Sequence, residues 1–169
     1  MNGNFQPPRC CFSGHRLIPK QEYAAVQQRL RETVCRLIEE GVTTFYAGGA
    51  LGFDTMAALE VLDLKNEYPH IQLILVLPCK DQSSRWNLTD VTVYRSVLAR
   101  ADKVMWQAEQ YVPGCMQARN RYLVDNTDIC VCYLKHNTGG TAYTVNYARK
   151  QGHSIYNVAE PDDDQLTFL

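Results

Sequence analysis

The stretch Thr43-Thr44-Phe45-Tyr46-Ala47-Gly48-Gly49-Ala50-Leu51-Gly52-Phe53-Asp54 decides the fold. Its first five residues are β-branched, aromatic or small, which predicts a strand. Three glycines follow, and then Phe53, Ala57, Val61 and Leu64 recur with the period of a helix stopped at Tyr68-Pro69. A strand that runs through glycine directly into a helix is the strand-to-helix turn of a parallel sheet. Glycines let the backbone approach an anion there, and free N–H groups at the helix start favour negative charge.

The same pattern repeats outward from this stretch. Upstream, Arg9 to Ser13 predicts a strand that meets Gly14-His15-Arg16, and Pro19 suits the first turn of a helix. Val26, Leu30, Val34 and Leu37 then form one apolar stripe, ended by Gly41. Downstream, Ile71 to Leu77 is nearly all aliphatic, as a strand buried on both faces should be. A polar stretch, Lys80 to Thr89, leads to a helix over about Asp90 to Ala101, a strand at Lys103 to Trp106 and a helix over Pro113 to Asn126. Ile129 to Leu134 is a fifth strand, Thr138-Gly139-Gly140-Thr141 opens a helix that Gly152 closes, and Ser154 to Val158 is the last strand. Strands alternating with helices predict a single α/β domain, a Rossmann-like open, mainly parallel sheet with helices on both faces. The domain is expected over residues 9–158, with a loose N-terminus at 1–8 and an acidic, mobile tail at 159–169 carrying Asp162-Asp163-Asp164.

Composition narrows the function classes. The chain has 169 residues, 17 basic against 18 acidic side chains and a net charge of −1. That balance lacks the broad basic footprint of a general nucleic-acid binder and argues against a nucleic-acid partner. No apolar run is long enough to span a bilayer, so no membrane partner is expected, and Met1 to Pro8 lacks the apolar core of a signal peptide. A cytoplasmic location follows as the expectation. Seven cysteines with no C-x-x-C pair fit reduced, buried thiols better than a metal site.

Three glycine-bearing loops leave strand ends: Ser13-Gly14-His15-Arg16, Gly48-Gly49-Ala50-Leu51-Gly52 and Thr138-Gly139-Gly140-Thr141. Ligands of open parallel sheets bind beyond the carboxyl ends of the strands, so together these loops point to a phosphorylated ligand. Neither G-x-G-x-x-G nor G-x-x-x-x-G-K-[ST] occurs, which removes the commonest dinucleotide and P-loop readings. Met116, Arg119 and Leu123 fall on one helical face, so Arg119 lies on the apolar stripe while Arg121 faces solvent. A buried arginine needs an anion: an internal Asp125 or Asp128, or a ligand phosphate. Asp54, in the first turn of its helix, serves either the helix dipole or ribose hydroxyls. Trp86 either stacks on a base or covers the sheet edge. His15 and Arg16 are either phosphate contacts or an exposed loop pair.

Cys11-Phe12-Ser13-Gly14-His15-Arg16, Ala47-Gly48-Gly49-Ala50-Leu51-Gly52-Phe53-Asp54-Thr55, Leu77-Pro78-Cys79 with Trp86, Arg119 to Asp125, and Gly139 to Val145 resemble the YpsA-like family of the SLOG superfamily. The resemblance spans residues 9 to 158. It implies a binding or sensor domain for a nucleotide or nucleotide-derived ligand, with no required cofactor and, by analogy with related domains, a possible homodimer. A more distant similarity, to the "lonely guy" phosphoribohydrolases, rests on Met116-x-x-Arg119 and Gly139-Gly140, and to DprA Rossmann domains on the fold. The phosphoribohydrolase signature is PGGxGTxxE. Thr138 replaces its proline, Tyr143 its threonine, and Asn146 stands where its glutamate would. An oxocarbenium-like transition state calls for a carboxylate, which Asn146 cannot supply, so Asp54 is the other catalytic candidate for an N-glycosidase.

Overall fold

Six strands and five helices alternate along residues 6–161, the residues that the computed structural model describes. In chain order they are β1 (Arg9–Gly14), α1 (Tyr23–Glu39), β2 (Thr44–Ala47), α2 (Phe53–Leu64), β3 (Gln72–Leu77), α3 (Leu88–Arg100), β4 (Lys103–Trp106), α4 (Cys115–Asp125), β5 (Ile129–Tyr133), α5 (Gly140–Lys150) and β6 (Ser154–Asn157). All strand pairs are parallel, in the order β4-β3-β2-β1-β5-β6. The chain builds outward from β1 to β4 and then returns to place β5 against β1, opposing Cys11 to Cys130 and Gly14 to Tyr133. That reversal is the switch point at which open parallel sheets leave a crevice beyond their strand ends.

The period-two alternation of strand side chains divides the core into two layers. Cys10 and Phe12 of β1, Leu73, Leu75 and Leu77 of β3, and Val131 and Tyr133 of β5 pack under α1, α2 and α3. Their neighbours in sequence, Cys11, Val76, Cys130 and Cys132, pack under Leu123 and Val124 of α4 and Val145 and Ala148 of α5. Both faces are therefore covered by helices, as the sequence predicts. All seven cysteines are free thiols and six are buried.

Several element ends shift by a residue or two from the sequence reading, and the start of α1 shifts further. Pro19 does not open α1, because two successive turns (Glu22 N–H to Pro19 O at 2.9 Å and Tyr23 N–H to Lys20 O at 3.4 Å) precede it. The helix then starts at Tyr23. β6 is followed by a segment tied back to α1: the Arg29 guanidinium donates to the carbonyls of Val158 at 2.9 Å and Ala159 at 3.1 Å. The expected loose N-terminus falls largely, and the acidic Asp162-Asp163-Asp164 wholly, outside the described residues. Among the described residues no helix is long and apolar enough to cross a membrane.

Candidate functional site

At the switch point a cavity of about 310 Å³ opens between the ends of β1 and β5. Four segments build it. The end of β1 and the loop after it give Phe12 to Arg16, and the turn into α2 gives Ala50 and Asp54. The face of α4 gives Met116, Arg119 and Asn120, and the start of α5 gives Thr138 to Thr141. The volume lies at the small end of the range for small-molecule sites.

The floor of this cavity is charged and buried. Arg119 is 4% exposed and Asp54 6% exposed. Arg119 donates through Nη1 to the Gly48 carbonyl and through Nε to Asn120 Oδ1 at 2.8 Å. Asp54 Oδ2 accepts the Ala50 N–H at 3.3 Å, a bond that closes the turn into α2. Burial pushes the Asp54 carboxyl up from its usual 3.8 to about 6, against the pull of Arg119, the Ala50 N–H and Arg16. Burial likewise lowers Arg119 from its usual value, with Asp54 opposing. A guanidinium nevertheless remains charged at any physiological pH.

Opposite this pair lies the amino end of α5. Its N-cap is Gly139, at φ 96° and ψ −176°, and no side chain caps the helix. The first-turn N–H groups of Gly140 and Thr141 therefore border the cavity without a side-chain acceptor, where the helix dipole favours an anion.

The structure brings Ser13, Gly14, His15, Arg16, Asp54, Arg119, Thr138, Gly139, Gly140 and Thr141 to one cavity. It does not bring the glycines of the middle loop there. Gly48 and Gly52 serve as spacers instead. A Cβ on Gly48 would lie 2.6 Å from Arg119 Nη1 and 2.9 Å from Asp54 Oδ2, so glycine is what lets both charges reach the backbone. A Cβ on Gly52, at φ 80°, would lie 2.1 Å from the Arg16 carbonyl oxygen, so here two backbones touch. Gly49 gives its carbonyl to Gln82 Nε2 at 3.1 Å. The middle loop thus reaches the cavity through Ala50 and Asp54, not through its glycines.

Two further candidates lie elsewhere. Trp86 sits edge-on to Tyr94 at 5.1 Å and packs on the core beneath α3, so it covers the sheet. Asn146 is exposed on α5 and accepts from Arg149 at 3.4 Å, because the buried face of that helix is taken by Ala142, Thr144, Val145 and Ala148. The internal partners considered for Arg119 are also engaged elsewhere. Asp128 accepts the Arg9 N–H at 3.0 Å and Asp125 the Tyr147 hydroxyl at 2.6 Å. Sequence reasoning missed Asn120, although its spacing from Met116 places it beside Arg119 on one helical face.

Gly48→Ala is expected to leave the fold intact by circular dichroism. It should lower stability by about 1–3 kcal/mol in denaturant unfolding, because Arg119 and Asp54 must both give way in a packed site.

These features define the class: a Rossmann-like domain whose switch-point crevice carries an arginine, a buried acid and a free helix start. More particularly, the chain belongs to the YpsA SLOG family, whose model, described as "YspA SLOG family", matches residues 18–163. It is similar to an uncharacterised SPbeta prophage-derived protein, YoqJ, of Bacillus subtilis, with 31% identity covering 79% of this chain and 89% of that one. Among solved structures it resembles DNA processing protein A (DprA) from Streptococcus pneumoniae, with a TM-score of 0.66 and 18% identity over 88% of this chain. It spans about half of that protein, 49%. It also resembles DprA from Helicobacter pylori, described for its single-stranded DNA binding mode, with a TM-score of 0.62 and 19% identity over 96% of this chain and 72% of the other. At such identities the two structures establish the fold alone.

Proposed function

We propose that this chain binds a nucleotide or nucleotide-derived ligand at the switch-point cavity. The phosphate sits at the amino end of α5, and sugar hydroxyls donate to Asp54. One observation carries this reading: two oppositely charged, almost fully buried side chains border an open cavity that also receives an uncapped helix start. Keeping Arg119 and Asp54 out of water carries a desolvation cost that an ordinary core would avoid, and a charged, hydroxylated ligand is the natural complement.

The test is thermal and denaturant unfolding with AMP, ADP, ADP-ribose, NAD and a single-stranded oligodeoxynucleotide. A ligand at 100 times its Kd adds about 2.7 kcal/mol to stability. A shift with one of the small nucleotides, lost in Arg119→Met, is the expected result. No shift with any of them rejects the reading, and a shift with the oligonucleotide alone transfers it to single-stranded nucleic acid.

A second reading, N-glycosidic hydrolysis, is favoured by the raised pKa of Asp54. A carboxyl that titrates near neutrality can exchange protons with substrate, and once ionised it can stabilise a developing oxocarbenium ion. Its mark would be free base released from a nucleoside monophosphate, with release abolished by Asp54→Asn.

A further inference from the structure

One residue of the β1 loop, His15, is bonded to the segments on either side of it. The His15 N–H donates to the Tyr133 carbonyl at 3.3 Å, and its carbonyl accepts the Phe53 N–H at 3.2 Å. The first bond ties it to the end of β5 and the second to the start of α2. Its side chain makes a third link, to the segment that leads into α5: Nε2 accepts the Lys135 N–H at 2.9 Å.

A ring nitrogen that accepts an amide hydrogen must carry a lone pair, so this bond requires neutral imidazole with its proton on Nδ1. Nearby contacts hold the same segment from other sides. The Lys135 ammonium bonds Glu22, which also accepts the Tyr133 hydroxyl at 2.8 Å. The Leu134 N–H donates to Asn157 Oδ1 at 3.1 Å. The bond to His15 ties the β1 loop to the chain that continues into Thr138 and Gly139.

We propose that His15 is a positioning residue: in its neutral form it holds the Lys135 N–H and so fixes the anion-binding start of α5. The proposal rests on the ligand reading above and deepens it. It reverses the ordinary expectation that protonating a histidine beside a phosphate site tightens binding. Proton uptake on Nε2 removes the acceptor and sets an N–H against the Lys135 N–H, and the loop loses its tie.

The surroundings favour the neutral form. The His136 ring lies tilted to it at 4.9 Å, and Tyr133 meets the ring edge-on at 5.7 Å. Lys135 stands beside it, Glu22 is engaged by Lys135, Arg16 follows on its own loop, and Asp54 and Arg119 share the cavity wall. Burial, together with His136 and Lys135, draws the pKa of His15 below the ordinary 6.5.

Inorganic sulfate is the probe, because its charge does not change between pH 5 and 8. Sulfate affinity is compared in wild type, His15→Gln and His15→Phe. Gln can place an acceptor oxygen near the position of Nε2 and never takes up a proton there, whereas Phe fills the space without an acceptor. At pH 7.5, Phe is expected to weaken sulfate binding about fivefold, the worth of one hydrogen bond, and Gln to restore it. As pH falls to 5, wild-type affinity is expected to drop relative to that of His15→Gln. The titration of Asp54 acts on both chains and cancels in their ratio.

Equal affinity in Phe and wild type, failure of Gln to restore binding, or a ratio that stays flat or rises on acidification overturns the proposal. If wild type binds no sulfate, the nucleotide series above judges the ligand reading. The Lys135 amide resonance, followed by NMR without any anion, then decides the positioning role. It must move with the titration of His15 in wild type and lose that pH dependence in His15→Phe, and a resonance indifferent to both overturns the role.

Discussion

Arg119→Met is expected to lower unfolding free energy by about 3 kcal/mol or more at pH 7.5, and by roughly half as much at pH 5. The side chain has two buried partners to abandon. The Gly48 carbonyl loses its donor, which costs about 1–3 kcal/mol when nothing replaces it. Asp54 loses the cation that steadies its ionised form. The second loss depends on pH, because a protonated carboxyl needs no counter-charge. Near pH 5 Asp54 already holds its proton in the folded state, so only the first loss remains. Urea unfolding at the two pH values checks this, and Asp54→Asn combined with Arg119→Met should remove most of the difference between them. A loss of equal size at both pH values would show that the two side chains do not interact. Binding of any anion to the cavity should fall in the single variant at both.

The division between what the sequence shows and what it hides has a physical cause. The aliphatic run Ile71 to Leu77 and the stripe through Val26, Leu30, Val34 and Leu37 are dictated by burial periodicity, and β3 and α1 occupy those places. The position of Arg119 on the apolar face of α4 is legible for the same reason. Which acid it meets is not, because Asp125 and Asp128 are near in sequence whereas Asp54 arrives from another strand connection. Periodicity describes one element at a time and says nothing of the switch point at which the start of α2 and the face of α4 border one cavity. The glycines of the middle loop mislead by a related route. A glycine permits close approach by a ligand or by the protein itself, and at Gly48 and Gly52 the visitors are Arg119 and the Arg16 backbone. Its distance from Gly139 sets Asn146 in the place of the signature glutamate, but a helix presents one position in every 3.6 to a given direction and this one faces solvent.

Asp54→Asn is expected to stabilise the fold at pH 7.5 by up to about 3 kcal/mol while abolishing ligand binding. The folded carboxyl titrates near 6 and the unfolded one near 3.8, so between those values the native state binds the extra proton. Stability therefore declines as pH rises from about 4 to 6 and stays lowered above. The gap of about two pKa units corresponds to about 3 kcal/mol. An amide keeps the oxygen that accepts the Ala50 N–H but never ionises, so the variant should be free of this decline. Unfolding free energies measured between pH 4 and 8 should thus fall in wild type and stay comparatively level in Asp54→Asn, the curves diverging through the window from 4 to 6. Parallel curves would mean that the carboxyl is solvated and costs the fold nothing. A divergent pair with lost binding would show instead that the chain keeps an ionised, buried acid at the expense of stability, which selection tolerates where the charge is used.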